Sequence, residues 1–207
     1  MTQAATRRLF FALWPDERMQ SALADATRAL TEAADGRSIP TENLHLTLAF
    51  LGSVEEAKIA TLSSIAAHVA EAFRNLSHTG GSPLAQAERD SHQRITSDAP
   101  IAITLDKVEH WRKPELLCAT ASEVAPEAAA LAQVLKEALV AAGFAPDLKP
   151  FRVHATLARK VRRVSRALTM PPVAWTFTEL RLIESRTDPR GSAYSTVEKW
   201  VLYKRDR

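Results

Sequence analysis

Asn43-Leu44-His45-Leu46-Thr47-Leu48-Ala49 and Arg152-Val153-His154-Ala155-Thr156-Leu157-Ala158 carry the same pattern, His-x-Thr-Leu-Ala, 109 positions apart. Composition alone would supply a His-x-Thr-Leu tetrapeptide roughly 0.05 times in such a chain, so two copies mark an internal repeat. Each copy reads as a strand. In a strand residues i and i+2 share a face, about 6.5–7 Å apart. His45 and Thr47 therefore project together, with Leu44, Leu46 and Leu48 behind them. His154 and Thr156 do the same in front of Val153, Ala155 and Leu157. Two related strands, each presenting a His-Thr pair, predict two pseudo-symmetric lobes whose pairs converge on one cleft.

Outward from the motifs the chain alternates strand and helix patterns. Arg8–Trp14 reads as a strand, followed by Met19, Leu23, Ala26 and Leu30 at helical spacing with Asp16 and Glu17 in the first turn. The second strand spans Leu44–Leu51. Ser53 and Glu56 form a capping-box signature for a helix carrying Ile59, Leu62, Ile65, Val69 and Phe73. Residues 76–100 mix glycine, proline and charge without periodicity, which predicts a mobile surface excursion. Strands are expected at Ile101–Val108, Leu116–Ala121, Arg152–Ala158, Trp175–Ser185 and Ser195–Tyr203. A third helix begins near Pro126, carries Leu131, Leu135 and Leu139, and ends at Gly143. The expectation is one bilobal α+β domain over residues 1–207.

Paired histidines suit concerted acid–base chemistry, because imidazole titrates near neutrality and one ring can accept a proton while the other donates. Threonine hydroxyls can donate to phosphate oxygens. A single strand histidine is more often a half-buried structural side chain; the matched pair argues otherwise. Zinc ligation finds no support, since neither motif holds an Asp, Glu or Cys at ligand spacing and no His-Glu-x-x-His occurs. There is no Gly-x-Ser-x-Gly elbow and, with 6 glycines, no glycine-rich nucleotide loop. Neither metal nor cofactor is expected. Cys118, the one cysteine, lies in Leu116-Leu117-Cys118-Ala119 and reads as a small buried hydrophobe.

The chain of 207 residues is 46% hydrophobic and 25% charged, enough for a core and without an apolar run near membrane-spanning length. Thr6-Arg7-Arg8-Leu9-Phe10-Phe11 has a superficial likeness to a twin-arginine signal, but the apolar stretch ends at Pro15-Asp16-Glu17. These readings favour the cytoplasm. The net charge of +3 is uneven: residues 149–207 carry 14 Lys/Arg against 5 Asp/Glu. Lys149, Arg152, Arg159, Lys160, Arg162, Arg163 and Arg166 surround the second motif without an acidic residue among them. That run is either a solvated face or a rim that holds a polyanion by its phosphates.

The residues quoted above resemble the LigT-type two-histidine phosphoesterases, in particular the RNA 2′,3′-cyclic phosphodiesterases once called 2′-5′ RNA ligases. The likeness runs nearly end to end: Arg8–Leu13 resembles the opening strand, Asn43–Gly52 the first motif, Phe151–Arg159 the second, and Gly191-Ser192-Ala193-Tyr194 the entry to a final strand. It departs at residues 76–100, longer and more polar than the family's. The resemblance implies two lobes of antiparallel sheet with flanking helices and hydrolysis of RNA or nucleoside 2′,3′-cyclic phosphates to 2′-phosphates, with reversible 2′-5′ ligation as a side reaction. His45 would be the proton donor and His154 the proton acceptor. Thr47 and Thr156 would hold the phosphoryl oxygens, and Arg159 is either a phosphate ligand or one more member of the basic run. Trp111 and Phe151 could stack a base, although core packing is the commoner task. The implied partners are RNA ends or small nucleotide cyclic phosphates, with no membrane and no obligate protein partner. The reading from another class is a non-catalytic RNA- or nucleotide-binding module on the same scaffold.

Overall fold

A computed structural model describes residues 5–78, 99–123, 125–164, 167–188 and 191–203. In chain order the strands are β1 (Thr6–Leu13), β2 (Arg37–Ser38), β3 (Leu46–Glu55), β4 (Ile101–Leu105), β5 (Lys107–Trp111), β6 (Leu116–Thr120), β7 (His154–Arg159), β8 (Val173–Phe177), β9 (Glu179–Asp188) and β10 (Gly191–Val201). The helices are α1 (Glu17–Ala33), α2 (Ile59–His78) and α3 (Pro126–Ala141). The expected α+β architecture is present, in one mainly antiparallel sheet of order β10-β9-β1-β3-β7-β6-β5, with β2 on β7 and a separate β4-β8 pair.

The two motif strands are neighbours at the centre of that sheet. They are joined by one register pair, Leu46 with Ala155. On one side of the junction lie β1, β9 and β10; on the other lie β6 and β5. The three helices cover one face, where Leu9, Leu23, Leu46, Leu62, Leu117, Leu131, Leu135 and Trp175 are fully buried. The other face carries a smaller apolar group of Phe10, Ala12 and Ile183 flanked by Trp14 and Tyr194.

Local chemistry sets the helix starts. Asp16 caps α1, its Oδ1 accepting from the Met19 N–H at 2.8 Å, with Glu17 in the first turn. Gln20, nearly buried on the inner face of α1, donates through Nε2 to the carbonyls of Glu42 and Leu44 at 2.9 and 3.1 Å. It thereby ties α1 to the short 3-10 turn Thr41–Asn43 that launches β3. Pro126 opens α3, and Gly143 follows it with φ +80°, a conformation that favours glycine.

Several boundaries differ from the sequence reading. Ser53 does not cap a helix: β1 extends far enough to pair Arg8 with Ser53 and Thr6 with Glu55, and the ladder holds these residues in strand. A 3-10 turn at Glu56–Lys58 then leads into α2. Ile101–Val108 and Trp175–Ser185, read as single strands, are each split. The first breaks at Asp106, whose N–H donates to the Thr120 carbonyl at 3.0 Å while its carboxylate accepts from Ser122 N–H. The second breaks at Thr178, whose carbonyl accepts from Leu202 N–H at 2.7 Å. Both segments thus pass from the small sheet into the large one. Helix α2 runs to His78, so the excursion expected from residue 76 starts later. Its residues 79–98 lie outside the described residues, and its mobility with them.

Candidate active site

Antiparallel geometry around the Leu46–Ala155 pair arranges the four motif side chains. One step either way sets His45 opposite Thr156 and Thr47 opposite His154. The four occupy the corners of a square on the face away from the helices. A local two-fold through Leu46 and Ala155 exchanges the histidines and exchanges the threonines. Diagonal cross-strand neighbours lie about 7–8 Å apart at the Cα level, within range of two imidazoles closing on one phosphate. All four side chains are half-buried.

The symmetry extends past the motifs. In β3, Phe11 pairs with Ala49 and Ala12 with Thr47, so Leu48 is an extra residue. In β7, Leu117 pairs with Ala158 and Cys118 with Thr156, so Leu157 is extra. Leu48 and Leu157 are equivalent positions of the repeat, and each forms a β-bulge that reverses the alternation beyond it. The next outward side chains are Phe50 and Arg159, again equivalent. Without the bulge Arg159, five residues after His154, would point into the core. With it, Arg159 joins Arg8, Phe10, His45, Thr47, Phe50, Ser185, Ser192 and Tyr194 around a pocket of about 80 Å³.

Each histidine is oriented the same way. His45 Nδ1 lies 2.7 Å from the Asn43 carbonyl and His154 Nδ1 lies 2.8 Å from the Arg152 carbonyl. A carbonyl can only accept, so both Nδ1 atoms carry hydrogen and both Nε2 atoms are free to exchange a proton. The surroundings then diverge. His45 stacks on Trp14 with centroids 4.9 Å apart and planes 3° from parallel, with Phe10 at 5.0 Å and Tyr194 edge-on at 5.3 Å. Burial in this cage pushes its pKa down to about 4; the positive charges of Arg159 and His154 add to the effect, and the Asn43 carbonyl opposes it. Among the described residues the ring packed on His154 is Trp111, at 4.9 Å, and burial followed by the charges of Arg152 and Arg159 lowers its pKa too.

Behind His154 stands a small network that sequence reasoning missed. Glu109 accepts from Trp111 Nε1 at 2.7 Å and from Arg152 Nη2 at 2.6 Å, and the Arg152 guanidinium lies 4.9 Å over the Trp111 ring. The Trp111 hydrogen bond, followed by the Arg152 charge, holds the Glu109 carboxyl below its usual range. Trp111 therefore packs on the site rather than in the core, whereas Phe151 does pack against the core. Trp14, Phe10 and Tyr194 were also missed as site residues; their only signal was aromatic spacing in strands that also read as core. Cys118 is fully buried as expected, and burial pushes its thiol up to about 12.

The basic run divides, with the described side chains of Arg152, Arg159, Lys160, Arg162 and Arg163 exposed. Arg152 is paired with Glu109, and Lys149 lies 3.7 Å from Asp147. After Arg159 the chain turns at Lys160, φ +58°, and the backbone N–H groups of Arg162 and Arg163 donate to Asp35 Oδ1 just past α1, leaving both side chains exposed. Of the seven, Arg159 lines the pocket; Arg166 lies outside the described residues. Among the described residues no cluster of three or more His, Cys, Asp or Glu is placed to hold a metal ion, and no helix is long and apolar enough to cross a membrane.

Residues 15–189 match the family described as the 2′-5′ RNA ligase superfamily. The RNA 2′,3′-cyclic phosphodiesterase of Escherichia coli K12 is 28% identical over 202 residues, covering 95% of this chain and 97% of that one. The Thermus thermophilus protein of the same name is 28% identical over 211 residues, covering 94% and 90%. Among solved structures, E. coli LigT complexed with 3′-AMP superposes with a TM-score of 0.72 at 24% identity, covering 96% of this chain and 99% of the other. The fold is LigT-like.

Proposed function

The chain belongs to the 2′-5′ RNA ligase superfamily, and from that premise we propose that it hydrolyses RNA or nucleoside 2′,3′-cyclic phosphates to 2′-phosphomonoesters by two-histidine acid–base catalysis. The observation that carries the reading is the two-fold square of His45, Thr47, His154 and Thr156, with both Nδ1–H groups tied to carbonyls and both Nε2 atoms free. Both curated relatives bear the name of this activity. His154 Nε2 takes a proton from water as its oxygen attacks phosphorus. The P–O3′ bond breaks, and His45 Nε2–H protonates the departing 3′ oxygen. Thr47, Thr156 and Arg159 donate to the non-bridging oxygens, where charge accumulates. With an RNA 5′-hydroxyl in place of water, the same two proton transfers open the cyclic phosphate to a 2′-5′ phosphodiester as the P–O3′ bond breaks. In reverse the 3′-hydroxyl attacks and the 5′-hydroxyl leaves, which is the basis for reversible 2′-5′ ligation.

The donor must carry a proton that its aromatic cage removes from the free site at neutral pH. A bound phosphate diester supplies the compensating negative charge, so substrate binding and protonation of His45 are coupled. The test is product formation from a 2′,3′-cyclic nucleotide followed by phosphorus NMR. The expected product is the 2′-phosphate, formed equally well in EDTA. H45A and H154A should each lose roughly 10²–10⁴-fold in rate. Binding of the cyclic nucleotide without product over hours would overturn the catalytic reading in favour of a binding module.

A further inference from the structure

Next to the reacting square is a cationic position that the proposed chemistry does not use. Arg8 and Arg159 both line the pocket, and among the described residues no acidic side chain lines it with them. The neighbouring Arg7 is neutralised by Glu184 at 2.5 Å, whereas Arg8 makes no ion pair among the described residues. Its guanidinium instead meets an aromatic ring: Cζ lies 4.9 Å over the centroid of Phe50. Phe50 is 36% exposed, unusual for a phenylalanine in a central strand, and it is the repeat partner of Arg159. A ring against one face of a guanidinium steers it and leaves the N–H groups on its edge free. Such an edge matches a phosphate in a bidentate pair.

Position says which phosphate. Thr47 pairs with Ala12, and Arg8 stands four residues further along β1, about 13 Å at the usual strand rise. Arg8 and Ala12 share a face with Phe10, and the guanidinium folds back over Phe50 onto the wall of the pocket that His45 and Thr47 also line. Ser185 and Ser192 add hydroxyls to the same pocket wall. We propose that Arg8, steered by Phe50, is a subsite for the internucleotide phosphate on the 5′ side of the terminal cyclic phosphate, so that this site prefers RNA ends to mononucleotides. The subsite rests on the activity proposed above for its register. It is separate from Arg162 and Arg163, whose backbone N–H groups bind Asp35 while their side chains stay exposed.

The experiment compares wild type, R8Q and R8K with two pairs of probes. One pair is bound only: a short RNA ending in a 2′-phosphate, and the matching 2′-mononucleotide. The other pair is turned over: a dinucleotide ending in a 2′,3′-cyclic phosphate, and the mononucleotide cyclic phosphate. In R8Q the RNA should bind roughly tenfold more weakly, and the slope of log affinity against log salt should flatten by about 0.7, one single-strand phosphate. The 2′-mononucleotide should weaken clearly less than the RNA, and KM should rise several-fold more for the dinucleotide than for the mononucleotide cyclic phosphate. R8K should keep the salt slope. Equal weakening of RNA and mononucleotide, no weakening of either, or an R8K slope as flat as that of R8Q would each overturn the subsite. Turnover and binding separate the two ideas. If wild type binds but cleaves neither cyclic substrate, the catalytic reading falls and the R8Q binding ratio still decides the subsite.

Discussion

At the scale of single residues, the two halves of the repeat supply the same imidazole in unlike settings. His45 is caged by Trp14, Phe10 and Tyr194, while His154 leans on Trp111, itself held by Glu109. Charge on His45 is disfavoured in the free protein, so its folded pKa of about 4 lies below the ordinary 6.5. Between those values the unfolded chain binds the extra proton. The stability due to neutral His45 is therefore fully present above pH 6.5 and is lost as pH falls towards 4. The melting temperature of wild type should drop across that window, and H45Q should flatten the drop; an identical profile for H45Q would show that the cage does not set the titration. The same shift predicts proton uptake on phosphate binding near neutral pH, read as a buffer-dependent heat in calorimetry, and lost in H45Q. Glu109 acts at one remove, through Trp111 and Arg152. E109Q should lower kcat by about tenfold, leave KM nearly unchanged and move the pH limb belonging to His154. A fall in expression or melting temperature without that pH movement would make Glu109 structural only.

At the scale of elements, the bulges and strand breaks decide which side chains reach the site, and here the sequence was legible in part. The His-x-Thr strands announced themselves because they combine rare residues with period-two alternation, and their sharing of one face follows from that alternation alone. The bulges left a fainter mark. Leu48-Ala49 and Leu157-Ala158 are adjacent buried residues, which strict alternation forbids. The strand breaks show the same parity change: Ile101, Ile103 and Leu105 point inward, then Val108; Val173, Trp175 and Phe177 point inward, then Leu180. Reading these runs as single strands smoothed over that change. The pairing of Arg152 with Glu109 was not legible, because the partners are 43 residues apart and only the sheet order joins them. One prediction belongs here. At Gly36, just before β2, an added Cβ would collide with Val161 Cγ2 and lie 2.6 Å from the Arg159 carbonyl. G36A must push β2 off β7, where Arg37 pairs with Arg159. It should cost about 1–3 kcal/mol in denaturant unfolding and raise KM more than it lowers kcat, since the displaced residue lines the pocket. Wild-type KM in a destabilised G36A would disconnect β2 from the site.

At the scale of the whole molecule, the site straddles a junction that looks weak in the sheet. The two halves share one register pair, Leu46 with Ala155, yet both histidines must hold station across it. The helical face supplies the missing stiffness. A single continuous core runs from Leu9, Leu23 and Leu48 through Leu62 and Phe73 to Leu131, Leu135 and Trp175, and α2 packs directly on α3. Trp175, on β8 of the small sheet, donates through Nε1 to the Met19 carbonyl of α1 at 2.8 Å, and α1 also packs on β7, which ties the small sheet to the helical face. Buried apolar surface shared in this way makes separate unfolding of either lobe expose the other's core, which favours one cooperative transition. Leu135→Ala, at a fully buried position of α3 far from the histidines along the chain, should cost about 2–5 kcal/mol. Its loss should appear as a single shifted transition, with tryptophan fluorescence and far-ultraviolet dichroism giving the same midpoint. Trp14 and Trp200 report one half of the sheet, while Trp111 and Trp175 report the other half and the small sheet beside it. Below that transition kcat should match wild type, because the folded population retains both halves of the site. Separated midpoints would mean that the lobes melt independently. The single Leu46–Ala155 contact would then be left to hold the histidines together, and activity should disappear at the first midpoint.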